Sequence, residues 1–318
     1  MIRFVVSIFS VGLMVVGAGV TSGQDFPNKP IRIFTSQSGS PSDFIARLLA
    51  QGISGPLGQP VIVDNRVGII ATETVAKAPP DGHTLLFYGP TLWLLPFLRD
   101  QVAWDPARDF STVTWATSAP NILVVHPSLP VKTVRELIAL AKARPGELNY
   151  GSGLAGSSNH LAAELFKSMA GINIVRVAYK GPAAAFYALI GGQLQLMFPD
   201  AGSASPHIKS GGVRALAVGS ATPSALTPGL PTLAASGVPG YESGIISAMF
   251  APAKTPATII NRLNQEIVRV LNRADVKERL FNSGVEIVGS SPEELAAKMR
   301  SEMTRMGKLI KDAGIRDQ

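Results

Sequence analysis

The chain of 318 residues contains no cysteine. That absence excludes disulfides and a lipid anchor attached through cysteine, and it suits a free protein of the bacterial periplasm. Histidine is scarce as well. His83, His126, His160 and His207 lie far apart, without the HxxH or HExxH spacing that brings two imidazoles to one metal, so no metal site is expected. Charged residues make up only 16% of the chain, and although the formal net charge is +7, Lys and Arg are scattered along it. No basic stripe is interleaved with aromatic stacking partners, which argues against nucleic acid as a partner. The hydrophobic fraction of 46% is that of an ordinary globular chain, long enough for about two domains.

What is present begins with a leader-like N-terminus. Arg3 is followed by an uncharged, largely apolar run from Phe4 to Val20 and by small residues from Thr21 to Gly23. Residues 1–23 therefore read as a secretory signal peptide, with a retained membrane anchor as the alternative. Removal of Arg3 with that segment leaves a mature charge of +6, which slightly favours anionic ligands.

The most informative stretch is Tyr150 to Phe166, YGSGLAGSSNHLAAELF, where a glycine- and serine-rich turn enters an amphipathic helix. The first turn of a helix leaves amides without intrahelical acceptors and carries partial positive charge, so the junction is a natural anion site. Ser157 or Ser158 is placed to cap that helix, while Leu161, Ala162, Leu165, Phe166 and Met169 bury one face. Gly151, Gly153 and Gly156 also match the dinucleotide fingerprint, which would make the chain an oxidoreductase. The acidic residue expected about 20 positions on is missing from Ile174 to Lys180, leaving only Arg176 to meet a 2′-phosphate. A second alternative is a secreted serine hydrolase built on Ser157 or Ser158, His160 and an acid such as Asp200. It lacks a G-x-S-x-G elbow, and His160 is expected instead to hydrogen-bond within its own lobe. No cofactor is expected.

Short β-branched runs alternate with helical patterns, which means an α/β fold. Strands are predicted at Ile31 to Phe34, Val61 to Val63, Thr84 to Tyr88, Ile122 to His126, Ile174 to Ala178, Leu194 to Phe198 and Arg214 to Val218. Helices are predicted at Asp43 to Ile53, Val134 to Ala143, Ser158 to Met169 and Ala183 to Ile190. Three more close the chain at Pro256 to Asn272, Asp275 to Ser283 and Pro292 to Asp312, with Thr255 and Ser291 as N-caps. In the junction Thr35 to Asp43, Ser40 is the expected N-cap, Pro41 the first helical residue, and Asp43 the carboxylate reaching back to the Ser40 amide. A third junction, Tyr179-Lys180-Gly181, enters a helix beginning at Pro182.

The order and spacing of these blocks resemble the Bug family of extracytoplasmic solute receptors, the binding components associated with tripartite tricarboxylate transport. The resemblance covers nearly the whole chain after the leader. It is carried by Phe26-Pro27-Asn28-Lys29-Pro30-Ile31-Arg32, Asp64-Asn65-Arg66, Pro80-Asp81-Gly82-His83-Thr84-Leu85, Trp104-Asp105-Pro106, Tyr179-Lys180-Gly181, Leu230-Pro231-Thr232 and Pro239-Gly240-Tyr241-Glu242, among others. It implies an α/β, periplasmic binding protein-like fold in which two lobes, 24–122 with about 248–318 and 123–247, flank a ligand cleft. It implies a non-enzymatic periplasmic receptor for a small carboxylated solute, serving either membrane transporter subunits as partners or a sensor.

Carried over residue by residue, the resemblance implies a site formed by Ser38, Gly39, Ser40 and Ser42 in the first lobe and Ser152, Gly153, Ala155, Gly156, Ser157 and Ser158 in the second. Asp200 stands where the family often has asparagine, and it is expected either to receive an ammonium group or to cap a turn. The first loop, Gln37-Ser38-Gly39-Ser40-Pro41, is less glycine-rich than the family pattern, and Val67-Gly68-Ile69-Ile70 is about three residues short. Phe87, Tyr88 and Trp93 are candidates for an apolar wall.

Overall fold

The computed structural model describes residues 26–66 and 69–316. The predicted signal peptide, and Val67 and Gly68 of the shortened loop, lie outside the described residues. The chain runs β1 (Ile31–Thr35), α1 (Pro41–Leu57), β2 (Val61–Asn65), α2 (Ile70–Ala76), β3 (Thr84–Tyr88), α3 (Thr91–Leu98) and β4 (Phe110–Pro120). It continues through β5 (Ile122–Val125), α4 (Val134–Ala143), β6 (Asn149–Ser152), α5 (Ser158–Ala170), β7 (Val175–Ala178), α6 (Pro182–Ile190), β8 (Leu196–Met197), α7 (Ala201–Lys209) and β9 (Arg214–Val218). It closes with β10 (Gly244–Pro252), α8 (Ala257–Leu271), α9 (Ala274–Asn282), β11 (Glu286–Ile287) and α10 (Pro292–Asp312).

These strands make two sheets and hence two lobes. A six-stranded sheet has the order β11-β4-β10-β3-β1-β2, and a five-stranded sheet has the order β7-β6-β8-β5-β9. β1 pairs in parallel with β2 and β3, as strands joined through α1 and α2 must, while β10 runs antiparallel to both β3 and β4. The first sheet thus draws strands from both ends of the chain, and the second uses only the middle.

Sequence periodicity explains the packing of the first lobe. Ile45, Leu49 and Ile53 recur at helical spacing on α1, and all three are buried against α8 and the sheet together with Ile31 and Ile33. Each such side chain contributes about 1.5–3 kcal/mol of transfer free energy. Helix α1 approaches α8 closely at Gly52, where a Cβ would stand 2.5 Å from Val270 Cγ1.

Most predicted elements recur within a few residues, and the differences have physical causes. β4 and β10 were not expected. β4 reads FSTVTWATSAP, rich in Ser and Thr and without clean alternation, yet it lies centrally and buries Thr114 and Thr117. α3 and α7 were hidden by internal prolines, Pro96 and Pro206. The strand expected at Leu194 to Phe198 is confined to Leu196–Met197.

Two caps are corrected. Thr255 does not cap α8: its hydroxyl donates to the Pro252 carbonyl at 2.7 Å, and the N-cap is Pro256, with no side-chain bond. Asp43 does not reach the Ser40 amide; it accepts from the Gly39 amide at 2.9 Å, and Arg47 and Asn65 hold its other oxygen. Burial raises the pKa of this carboxyl, but those bonds outweigh it and leave Asp43 below the ordinary carboxylate range. Ser40 does cap α1, and Ser291 forms the full capping box of α10 with Glu294.

The chain crosses between the lobes twice, at Pro120 to Ile122 and through 219–243. The two crossovers are stitched together: Gly219 N–H donates to Asn121 O at 2.7 Å, and Ser243 N–H donates to Gly219 O at 2.8 Å. A further meeting of the lobes joins Gly202 in α7 to Gly284 after α9.

Candidate functional site

Two adjoining cavities lie beside the crossovers, and they share Ser157, Ser158 and Ile245. The first, of about 530 Å³, is a chamber bounded by Ser36 and Ser42 of the first lobe, Tyr88, helix α3, Trp115, the start of α5 and the inner face of α10. The second, of about 460 Å³, lies on the other side of the start of α5, between α6 and α7. The start of α5 is therefore the ridge between two spaces.

This ridge is built to leave donors open. Ser157 occupies the N-cap position, but its hydroxyl makes no capping bond. It lies 2.7 Å from both the Leu154 carbonyl and Asn159 Oδ1. The sequence expectation that Ser157 caps the helix is thus met in position and not in chemistry. Ser158 donates to Asn121 Oδ1 at 3.1 Å, tying the ridge to the first crossover. The first-turn amides, which have no intrahelical acceptors, keep the partial positive charge of the helix end.

Asn159 adds a side-chain donor. It is only 5% exposed, and its Oδ1 accepts from the Gly153 amide, which fixes the orientation of the carboxamide. Its Nδ2 is buried without a partner, and the residue borders the second cavity. An unpaired buried donor of this kind costs about 1–3 kcal/mol until something accepts from it. α6 likewise begins without a side-chain cap, at Gly181. α7, in contrast, is capped by Asp200, which accepts from the Ser203 amide and hydroxyl.

The turn before α5 is held from behind. Arg176 on β7 donates from Nε to Ser152 Oγ at 2.7 Å and from Nη2 to Gly153 O at 2.8 Å. It is therefore committed to shaping the loop, which removes the group proposed for a 2′-phosphate. Two of the three fingerprint glycines also have packing reasons: a Cβ on Gly151 would stand 2.4 Å from Leu194, and one on Gly156, whose φ is +76°, would stand 2.5 Å from Leu98. The hydrolase alternative gains no support from the geometry, because neither serine hydroxyl is directed to His160.

His160 supports the loop. It is 3% exposed, and its Nδ1 accepts from the Gly156 amide at 3.0 Å. Burial, followed by the charges of Arg176 and Lys167, pushes its pKa down from 6.5 to about 4. Between those values the unfolded chain binds a proton that the folded chain refuses. The associated stability is therefore fully present above pH 6.5 and declines as pH falls toward 4, by about 3 kcal/mol at most. Urea unfolding at pH 7 and pH 4.5 measures that loss, and His160→Gln is expected to make the decline distinctly shallower.

The predicted site residues divide into three groups. Ser42, Ala155, Gly156, Ser157 and Ser158 line the chamber. Asp200 lines the second cavity, where it also caps α7. Ser152 and Gly153 are buried behind the ridge under Arg176, whereas Ser38, Gly39 and Ser40 form the turn before α1 and lie off both cavity walls. Of the candidate aromatics, Tyr88 lines the chamber, while Phe87 and Trp93 are fully buried in the core.

Sequence reasoning missed Trp115 on β4, Ser220, Glu242 and Ser243 in the second crossover, and Lys298, Glu302 and Arg305 on α10. The spacing of Lys298, Glu302 and Arg305 marks one helical face, but nothing local says that this face meets the cleft. Among the described residues no cluster of His, Cys, Asp and Glu is arranged to hold a metal ion, and no helix is long and apolar enough to cross a membrane.

Comparison with known proteins agrees with this architecture. The profile of the tripartite tricarboxylate transporter family receptor matches residues 45–315. A Pseudomonas sp. (strain P51) protein described as the UPF0065 protein in the tcbD-tcbE intergenic region is 36% identical over 290 residues, 90% of this chain and 86% of its own length. Protein BugT of Bordetella pertussis is 32% identical, with 96% of each chain covered. Among solved structures, an R. palustris protein with adipate is 36% identical, covering 92% of this chain and 99% of that one with a TM-score of 0.75. MatC from Rhodopseudomonas palustris with bound malate is 28% identical, covering 90% and 100%, at a TM-score of 0.72. A TctC solute-binding protein from Polaromonas superposes with a TM-score of 0.83 at 23% identity, a likeness of fold. With two lobes, a cleft between them and a family profile spanning most of its length, the chain belongs to the receptor family of tripartite tricarboxylate transporters.

Proposed function

We infer that this receptor captures a small carboxylated solute in the periplasm and delivers it to membrane transporter subunits, without chemical turnover. The observation that carries the reading is the start of α5, where uncapped amides stand beside the buried, unpartnered Nδ2 of Asn159. A carboxylate supplies the missing acceptors, and hydrogen bonds to a charged acceptor of this kind contribute about 1.5–3 kcal/mol each. Ser36 and Ser42 line the chamber on the other side of that ridge, together with Ser157 and Ser158, and the solved relatives with adipate and malate support the ligand class.

In this reading one lobe is 24–120 with 244–318 and the other 122–218, so the boundary expected at 247/248 falls back to the start of β10, and closure turns on Asn121, Gly219 and Ser243. Ligand shifts the open and closed populations because only the closed state surrounds it. The apolar run at Phe4 to Val20 supports export through a cleaved leader.

The test is a thermal-shift screen of the mature chain against dicarboxylates, amino acids and aromatic acids, run beside assays for ester, amide and nucleotide hydrolysis. Stabilisation by at least one acid with no turnover is expected. Hydrolysis abolished by Ser157→Ala would overturn the reading.

A further inference from the structure

The chamber is larger and more apolar than a short diacid needs. At about 530 Å³ it falls in the range of sites for small organic ligands, and protein interiors do not otherwise leave such space open. Leu95, Leu98, Leu161 and Met306 are each no more than 5% exposed and still border the chamber, and Tyr88 and Trp115 add aromatic surface. A four-carbon diacid bound at the α5 ridge would leave most of this apolar wall uncovered.

The α10 wall of the chamber carries a compensated charge cluster. Lys298 Nζ lies 2.8 Å from Glu242 and 3.4 Å from Glu302, and it stands 5.4 Å from the centre of the Trp115 ring. Arg305 donates to Glu302 at 2.7 Å and to the Glu242 carbonyl at 2.8 Å. The two cations thus already have carboxylate partners, and Glu302 has only 11% of its side chain exposed. A second ligand carboxylate pushed against this wall would give up hydration and meet two carboxylates whose cations are engaged.

We propose that the solute is a monocarboxylate with an apolar body of about ring size, its head at the α5 ridge and its body in the chamber. The Glu242, Lys298, Glu302 and Arg305 cluster is what excludes diacids. This rests on the carboxylate-receptor reading above and narrows it.

Isothermal titration of the mature chain with 3-phenylpropanoate, adipate and succinate tests both levels separately. The expected order is 3-phenylpropanoate tightest, by about tenfold or more over either diacid, a gap of about 1.4 kcal/mol per decade. Glu302→Gln keeps the side-chain shape and leaves the cluster with one excess positive charge, so the preference over adipate should shrink about tenfold. Lys298→Met leaves one excess negative charge and should widen it, which gives a second readout of opposite sign if the first variant folds poorly. Adipate binding as tightly as 3-phenylpropanoate in the unaltered chain would overturn the proposal while leaving the receptor reading intact. A preference that neither variant moves would remove the cluster from it. Binding of none of the acids, including those of the wider screen, would refute the receptor reading itself.

Discussion

Asn159→Asp is expected to weaken carboxylate binding by about a hundredfold or more while leaving the free protein as stable as before. The substitution replaces the one buried, unpartnered side-chain donor at the ridge with a negatively charged acceptor. It removes a charge-assisted hydrogen bond of about 1.5–3 kcal/mol and adds like-charge repulsion in a weakly solvated space. The fold should tolerate it, because the Gly153 amide still finds an oxygen and a carboxylate in the first turn of a helix is favoured by the dipole. Titration of any acid found in the screen gives the binding loss, and thermal unfolding without ligand gives the control. Unchanged affinity would mean that the solute is not seated at the start of α5.

Gly284→Ala is expected to produce the largest loss of stability of any single methyl addition considered in this chain. Gly284 has φ of +74°, and a Cβ there would stand 2.4 Å from Gly202 Cα and 2.5 Å from Gly202 N. Both obstacles are backbone, so nothing can rotate away, and α7 would have to withdraw from the turn after α9. Strain at positive φ plus this displacement is expected to cost about 3 kcal/mol or more, which for a chain of this size lowers Tm by roughly 6 °C or more. Gly211→Ala is the internal control. Its φ is +75° with nothing within 4 Å of the added carbon, so only the backbone strain of about 1–2 kcal/mol applies. Because Gly202 and Gly284 join the two lobes, the variant should also change ligand affinity, whereas Gly211→Ala should not. Equal melting temperatures for the two variants would show that the close approach is not maintained in solution.

Much of the architecture was legible because local patterns and tertiary placement agree. β1, β3, β9, α4, α5 and α10 each carry either a compact apolar run or an apolar stripe at helical spacing, and each lies within a residue or two of its predicted position. Where the two disagreed, the sequence misled. Ser and Thr in β4 look like loop, but they satisfy hydroxyls inside a central strand, as Thr114 does by donating to the Ser290 carbonyl. Thr255 has the composition of a cap, yet a nearer carbonyl competes for its proton.

For the site, the boundary between the legible and the illegible falls at the level of the turn. The junction Tyr150 to Phe166 marked a candidate anion site through its glycines, its serines and the helix that follows, and that chemistry is local. The sequence by itself also determined the two-lobed α/β class and the family, because ordered blocks along the chain carry both. Only the tertiary structure decided that Ser157 turns its hydroxyl away and leaves the ridge uncapped, that Arg176 is occupied with the loop, and that Asn159 retains a free buried donor. It also decided that Trp115, Glu242 and the inner face of α10, far apart in the chain, enclose the same chamber. The physical reason is that capping strength and charge pairing are set by which acceptor lies nearest in three dimensions, and that distance is fixed by packing between elements rather than by spacing along the chain.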